Sequence, residues 1–168
     1  MIHERVFGAY VLFTLIRLVI AVGFLSPHTY VYAVSLAMIV FGALLTHSRD
    51  SVRMWRVRLA IYPVLVNVLF VNLRWVSPLI NDGKKDALLW EFDRLLVGGS
   101  LSVALEPLIS PALTELLCFC YMFFMAYLAV DIFFYLFSDI SLARTFYAGL
   151  FSLYGIGYFG YTLVPAIG

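Results

Sequence analysis

Residues Gly155 to Gly160 read G-I-G-Y-F-G, the spacing with which a glycine-rich turn cradles the pyrophosphate of a dinucleotide. That chemistry needs a strand before the first glycine, a helix N-terminus after it and an acidic residue further on. Here the glycines sit inside the apolar run T-F-Y-A-G-L-F-S-L-Y-G-I-G-Y-F-G-Y-T-L-V, and no acidic residue follows them. The dinucleotide reading fails on context. Cys118 and Cys120 stand two apart, about 200° around a helix, so they cannot bridge each other there. No histidine or second cysteine pair accompanies them at metal-ligand spacing. His3, His28 and His47 are scattered, with His3 and His47 at the same predicted face and His28 in a tight turn at the other. No catalytic residue, no metal and no cofactor is expected from these side chains.

The elements that carry them are set by composition. Of 168 residues, 64% are hydrophobic and 12% charged, with a mean hydropathy of +0.99. A soluble domain has about 45–50% apolar and about 25% charged residues, so lipid must solvate most of this chain. Spans are predicted near residues 6–25, 30–46, 59–76, 113–137 and 145–164. The second is short for a bilayer that takes about 20 residues. Backbone polar groups in lipid must be satisfied within the segment, so the spans are helices. The N-terminal apolar run is too long for a signal peptide and lacks a small-residue cleavage site, so it reads as a retained first span. The fold class expected is an all-α integral membrane protein with five transmembrane helices plus one or two interfacial helices.

Basic residues divide unequally between the two faces. Arg5, Arg49, Arg53, Arg56, Arg58 and Arg144 fall on one, against Lys84, Lys85 and Arg94 on the other. The second group is diluted by Asp82, Asp86, Glu91, Asp93 and Glu106. The positive-inside rule then places the N-terminus in the cytoplasm. The 77–112 link and the C-terminal V-P-A-I-G share the opposite, outer or lumenal face. Within the link, N-D-G at Asn81–Gly83 is a turn signal. Interfacial helices are predicted near 85–97 and 100–109, the first amphipathic and stopped by Gly98-Gly99, the second capped by Ser100.

Polar residues inside the spans need partners. Arg17 lies mid-span at a cost of about 2.5–3.5 kcal/mol, and Asp131 is the acid it is expected to pair with, as a structural ion pair. Asn67 and Asn72 are expected to bond between helices. Arg74 emerges on the same face as Gly168 and is a candidate to hold an anionic head group, as are Lys84, Lys85 and Arg94 more weakly. Gly149, Ser152, Gly157 and Gly160 form a small-residue stripe that predicts close helix approach. Pro165 closes the last span and leaves Y-x-x-x-P-x-x-G from Tyr161 to Gly168.

The two outer-face elements, E-F-D-R-L-L-V-G-G-S-L-S-V-A-L-E and G-Y-T-L-V-P-A-I-G, resemble the inositolphosphorylceramide-synthase-like branch of the type 2 phosphatidic acid phosphatase (PAP2) superfamily. Asp93 or Glu91, Leu95 or Leu96, Gly98 and Gly99 match that family's (D/E)-x-x-L-(F/Y)-G-(G/A) element. Pro165, Ala166 and Gly168 match the start of its P-A-x-G-P-R element. The likeness covers roughly residues 85–168. It implies a PAP2-like bundle of about six helices whose site faces outside or the lumen. There a histidine attacks a phosphate ester, a second histidine and an aspartate assist, and basic residues hold the phosphate.

The family's S-G-H and R-x-x-x-x-x-H-x-x-D elements follow its second motif and have no counterpart in these 168 residues. The expectation is therefore an N-terminal portion lacking its C-terminal part. Its partners would be membrane lipids, a phospholipid, polyprenyl phosphate or sphingolipid substrate, and the missing C-terminal half or a partner subunit. Nucleic acid is not among them. The substrate-facing candidates are Arg74, Asp93, Arg94, Tyr161, Pro165 and Gly168. The alternative is a small non-enzymatic membrane subunit or scaffold. A transporter is disfavoured, because the spans contain no inverted pair of broken helices.

Overall fold

Apolar side chains recur at steps of three and four along this chain, and such steps become buried seams when helices pack. The structure is a computed structural model that describes residues 2–48, 51–81, 83 and 85–165. Its elements are α1 (Ile2–Val22), α2 (Pro27–Ser48), α3 (Val52–Ile80), α4 (Asp86–Val97), α5 (Leu101–Leu105) running into a 3-10 turn (Glu106–Leu108), α6 (Pro111–Phe137) and α7 (Ile140–Leu163). No strand occurs among the described residues. Four helices, α1, α2, α3 and α6, are long and apolar enough to cross a bilayer. The chain is an all-α protein of the multi-pass membrane type.

Local chemistry sets most of the boundaries. Gly23 turns into the left-handed region (φ 81°) just after α1, and Gly98 does so (φ 79°) to stop α4, a conformation that costs glycine nothing. Ser51 caps α3 by accepting from the Met54 amide, and Ser110 caps α6 in the same way, with Pro111 in the first turn. The second span is longer than expected. α2 runs for 22 residues because Pro27 opens it and the helix continues through His47 to Ser48. α3 likewise extends to 29 residues, beyond the 59–76 stretch at both ends.

The seams are the core. Phe7, Tyr10, Thr14 and Leu18 of α1 face Tyr62, Leu65, Leu69 and Val76 of α3 and Ala143, Tyr147, Phe151 and Tyr158 of α7, all buried. α2 adds Tyr32, Ser35, Ile39 and Thr46 at the heptad spacing of left-handed bundles. α7 sits against α1, α3 and α6, with its most extensive contact on α1, and a close approach there. That approach occurs at Gly155, where a Cβ would lie 3.0 Å from Val6 Cγ1 and 3.2 Å from the Phe7 backbone. The expected stripe is on the wrong side of the helix. Around Gly149, Gly157 and Gly160 nothing lies within 4 Å of the Cβ position, and these glycines are exposed.

Two other expectations are corrected. Asn67 and Asn72 donate to carbonyls four residues back on their own helix, Pro63 (2.8 Å) and Val68 (2.9 Å). Only Asn72 also reaches another helix, through His28 (3.3 Å), which lies in the first turn of α2 rather than in a free turn. Pro63 lacks the N–H that would complete the α3 ladder, and the amide bond from Asn67 reinforces that stretch.

α6 stands apart from the four-helix core. None of its side chains is buried. Among the described residues, its hydrogen bonds and ring contacts to the other helices fall between residues 132 and 138. Tyr147 Oη donates to the Ile132 carbonyl (3.0 Å), Tyr135 stacks on Phe146 (4.0 Å between ring centroids), and Arg56 reaches the Phe137 and Ser138 carbonyls (3.4 Å each).

Candidate functional site

Two ends of the bundle carry its polar chemistry. At one end α3 stops, the link begins and α7 finishes. A helix leaves its last carbonyls without intrahelical partners, and here neighbouring groups satisfy those of α7. Ser77 Oγ donates to the Tyr161 carbonyl (3.3 Å), Asn81 Nδ2 to those of Thr162 (3.3 Å) and Leu163 (3.1 Å), and the Lys85 amide to that of Pro165 (2.9 Å). Asn81 also ends α3 and accepts from the Gly83 amide through Oδ1 (3.3 Å). The start of the long link and the proline-closed end of α7 are therefore joined along one rim.

Arg17 belongs to this rim and not to Asp131. Its guanidinium donates to the Ile80 carbonyl (2.5 Å), at the last residue of α3. The expected ion pair is absent because α1 and α6 do not touch, and because Arg17 reaches toward the link end while Asp131 lies near the far end of α6. Asp131 instead faces Tyr127, one turn away on α6. A cation in an apolar span is relieved by the nearest acceptor at a rim. Here that acceptor is a carbonyl freed by the end of α3.

The candidate substrate-facing residues are only partly assembled. Arg74 is exposed with its guanidinium 4.7 Å over the Trp75 ring. Tyr161 is 63% exposed and contributes its backbone to the rim, as does Pro165. Asp93 and Arg94 lie on α4, which packs against no helix but α5 among the described residues. Arg94 forms an exposed ion pair with Glu91 (2.8 Å) and lies over Trp90. They are not brought to Arg74, and Gly168, Ala166 and Lys84 lie outside the described residues. The only histidine at this rim, His28, faces an amide rather than a carboxylate. Among the described residues the rim offers no nucleophile and base in hydrogen-bond reach. No cluster of metal-ligating side chains occurs among the described residues.

At the opposite, basic end sits a constellation the sequence reading missed. Arg58 makes a two-pronged ion pair with Glu4 (2.5 and 2.6 Å), each side chain about 10% exposed, and also donates to Thr46 Oγ1. One guanidinium thus ties α1, α2 and α3 together. The Trp55 ring lies 4.7 Å from Arg58 and 4.3 Å from Arg144. His3, assigned by sequence only to this face, is fully buried edge-on against Tyr62 (4.6 Å), and neither ring nitrogen has a partner. Glu4 and Arg58 were legible only as charges flanking spans; nothing in their spacing announced the contact. Between the two ends, Tyr10 and Tyr32 share a hydroxyl hydrogen bond (2.9 Å), and Tyr158 donates to the Val66 carbonyl (2.9 Å).

Comparison with protein-family models, with curated proteins and with solved structures returns no match.

Proposed function

We propose that these residues form the membrane-embedded scaffold of a PAP2-like lipid phosphatase or phosphotransferase. α7 is the fifth span, the N-terminus is cytoplasmic, and the link end faces the outside or the lumen. The observation that carries this reading is the Lys85–Pro165 hydrogen bond with the Asn81 bonds beside it. It puts the longest polar link and the end of the last span on one rim, where a head group of a phospholipid, polyprenyl phosphate or sphingolipid would be held. Arg74 is the residue that contacts that group. α4, with Leu88, Phe92, Leu95 and Leu96 on one side and Asp86, Glu91, Asp93 and Arg94 on the other, lies along the bilayer surface as an amphipathic platform. The histidines that cleave the ester belong to a further segment or a partner subunit.

The test is phosphate release from phosphatidic acid and from a polyprenyl phosphate, by the protein purified from its native membrane with whatever accompanies it. Release that falls at least about tenfold on Arg74→Gln, the worth of one charge-assisted hydrogen bond, supports the reading. No release, or release indifferent to Arg74, refutes it. Orientation is tested separately. In a Cys118→Ser, Cys120→Ser background, cysteines at Ser51 and Gly83 should react with an impermeant maleimide from opposite faces.

A second reading, a non-enzymatic membrane subunit, is favoured by α6. Its 27 residues are mostly apolar and none is buried, the surface expected of a helix that a partner's spans cover. Co-purification of one fixed integral membrane partner, with no phosphatase activity, would select it.

A further inference from the structure

We propose that the basic end holds an anionic phospholipid, with its phosphate on Arg144 and an acyl chain running along the exposed face of α7. This site is separate from the rim described above and does not depend on it. A groove of about 460 Å³ opens between the first residues of α1 and the start of α7, lined by Ile2, Ser141, Arg144, Thr145 and Ala148. The cations of this end differ in what they are free to do. Arg58 is consumed by Glu4 and Thr46. Arg56 is drawn to the Phe137 and Ser138 carbonyls. Arg144 has no ion pair among the described residues, and Asp139, the nearest acid in sequence, makes none with it.

Trp55 holds the Arg144 guanidinium by its flat face, which leaves the N–H edge for an acceptor. Thr145 spends its proton on the Ser141 carbonyl (3.1 Å), so the Ser141 hydroxyl is the groove's second donor. A planar fork of donors with a hydroxyl beside it fits a phosphodiester. Ile2 and Ala148 make the rest of the groove apolar, which a free phosphate would not need. Gly149 is next along α7, and nothing occupies the space a side chain there would take. An acyl chain therefore has room to lie along this face of α7 beyond Ala148. Charge and apolar surface in this order match a lipid of the leaflet that the basic end faces.

The test uses the whole chain in phosphatidylcholine nanodiscs. Its three tryptophans are reduced to Trp55 by Trp75→Phe and Trp90→Phe. Phosphatidylglycerol with acyl bromines close to the head group is titrated in, and Trp55 quenching gives the midpoint mole fraction. Each variant is referenced to its own unquenched emission. The expected midpoint is several-fold below that for equally brominated phosphatidylcholine. Arg144→Gln should raise it about tenfold, as the loss of a charge-assisted hydrogen bond does. Arg144→Lys should recover part of the loss and keeps the test open if the glutamine variant does not fold. Gly149→Leu should raise the midpoint without changing charge, and Arg53→Gln, exposed on α3, should move it less than about twofold. Equal quenching by the two lipids overturns the proposal. So does an Arg53→Gln effect equal to that of Arg144→Gln, which means surface charge alone. So does displacement by millimolar glycerol phosphate, which means an anion site with no use for the chain.

Discussion

Alanine at Gly155 should destabilise this protein, whereas alanine at the other glycines of the same G-x-G-x-x-G run should not. At Gly155 a Cβ would sit 3.0 Å from Val6 Cγ1 and 3.2 Å from both Phe7 Cα and Phe7 N. Carbon atoms rest at about 3.5–4.0 Å. The Val6 methyl can turn away, but the Phe7 backbone moves only if α1 moves. Forcing an extra methyl into such a contact costs about 1–3 kcal/mol. Alanine recovers about 1 kcal/mol of helix propensity over glycine, so Gly155→Ala should lose up to about 2 kcal/mol net. At Gly149, Gly157 and Gly160 nothing stands within 4 Å, and only the propensity gain remains. Those three variants should be neutral or stabilised by up to about 1 kcal/mol. The assay is unfolding of the chain in mixed detergent micelles with rising dodecyl sulfate, followed by circular dichroism. If Gly155→Ala stabilises like the others, or Gly149→Ala and Gly160→Ala cost as much as Gly155→Ala, then α7 presents a different face to α1 and the core described above is wrong.

Other variants probe the two ends. Glu4→Gln leaves Arg58 buried without its counter-charge and should cost about 3 kcal/mol. Glu4→Leu with Arg58→Met should recover most of that loss in the same unfolding assay. His3→Phe removes two buried ring nitrogens that have no partner and keeps the edge-on contact with Tyr62. It should be neutral or stabilising by about 1 kcal/mol, and a loss above 1 kcal/mol would mean that His3 has a polar role. Asn81→Ala frees two carbonyls at the end of α7 and should cost about 1–2 kcal/mol. It should also speed amide exchange in residues 160–164 without touching residues near Glu4. Exchange that accelerates equally at both ends would show that the rim bonds do not act locally.

The sequence carried the parts of the fold that depend on composition and punctuation. Span positions follow from runs that only lipid can solvate, and the end of α4 from Gly98. Facing was harder. In a soluble helix the polar side points outward, so a pattern reports orientation. On α7 both sides are apolar or small, and the glycines that looked like a contact stripe are those that face away. Gly155 was in the same motif and differed only in azimuth, which requires knowing where α1 runs. The Arg17 error has a related cause. Two opposite charges in separate spans look like partners by elimination, yet a carbonyl released where a helix ends is an equally good acceptor and leaves no mark in the sequence. The rim was half legible: N-D-G signals a turn, but the amide of Asn81 closing α7 depends on two helices ending at the same height.

The distribution of ties constrains where this structure can give. α1, α2 and α3 are fastened at the basic end by Arg58, and α3 is fastened to α7 at the link end by Ser77 and Asn81, so the core is held at both rims. Among the described residues, the hydrogen bonds and ring contacts that hold α6 to the core lie at residues 132–138, and α4 and α5 connect its other end to the Lys85–Pro165 bond. A rod fixed at one end pivots there, and its far end sweeps the largest arc. Any helix or lipid that inserts between α6 and the core must therefore enter beside the first half of α6, at the link end, and Arg56 and Tyr147 set the hinge. Spin labels at Leu116 and the exposed Val71 should then show a broad distance distribution in the isolated chain, while labels at Leu136 and Val57 show a narrow one. Two narrow distributions would mean that α6 is fixed along its length by the bilayer alone, and the opening at the link end would need no occupant.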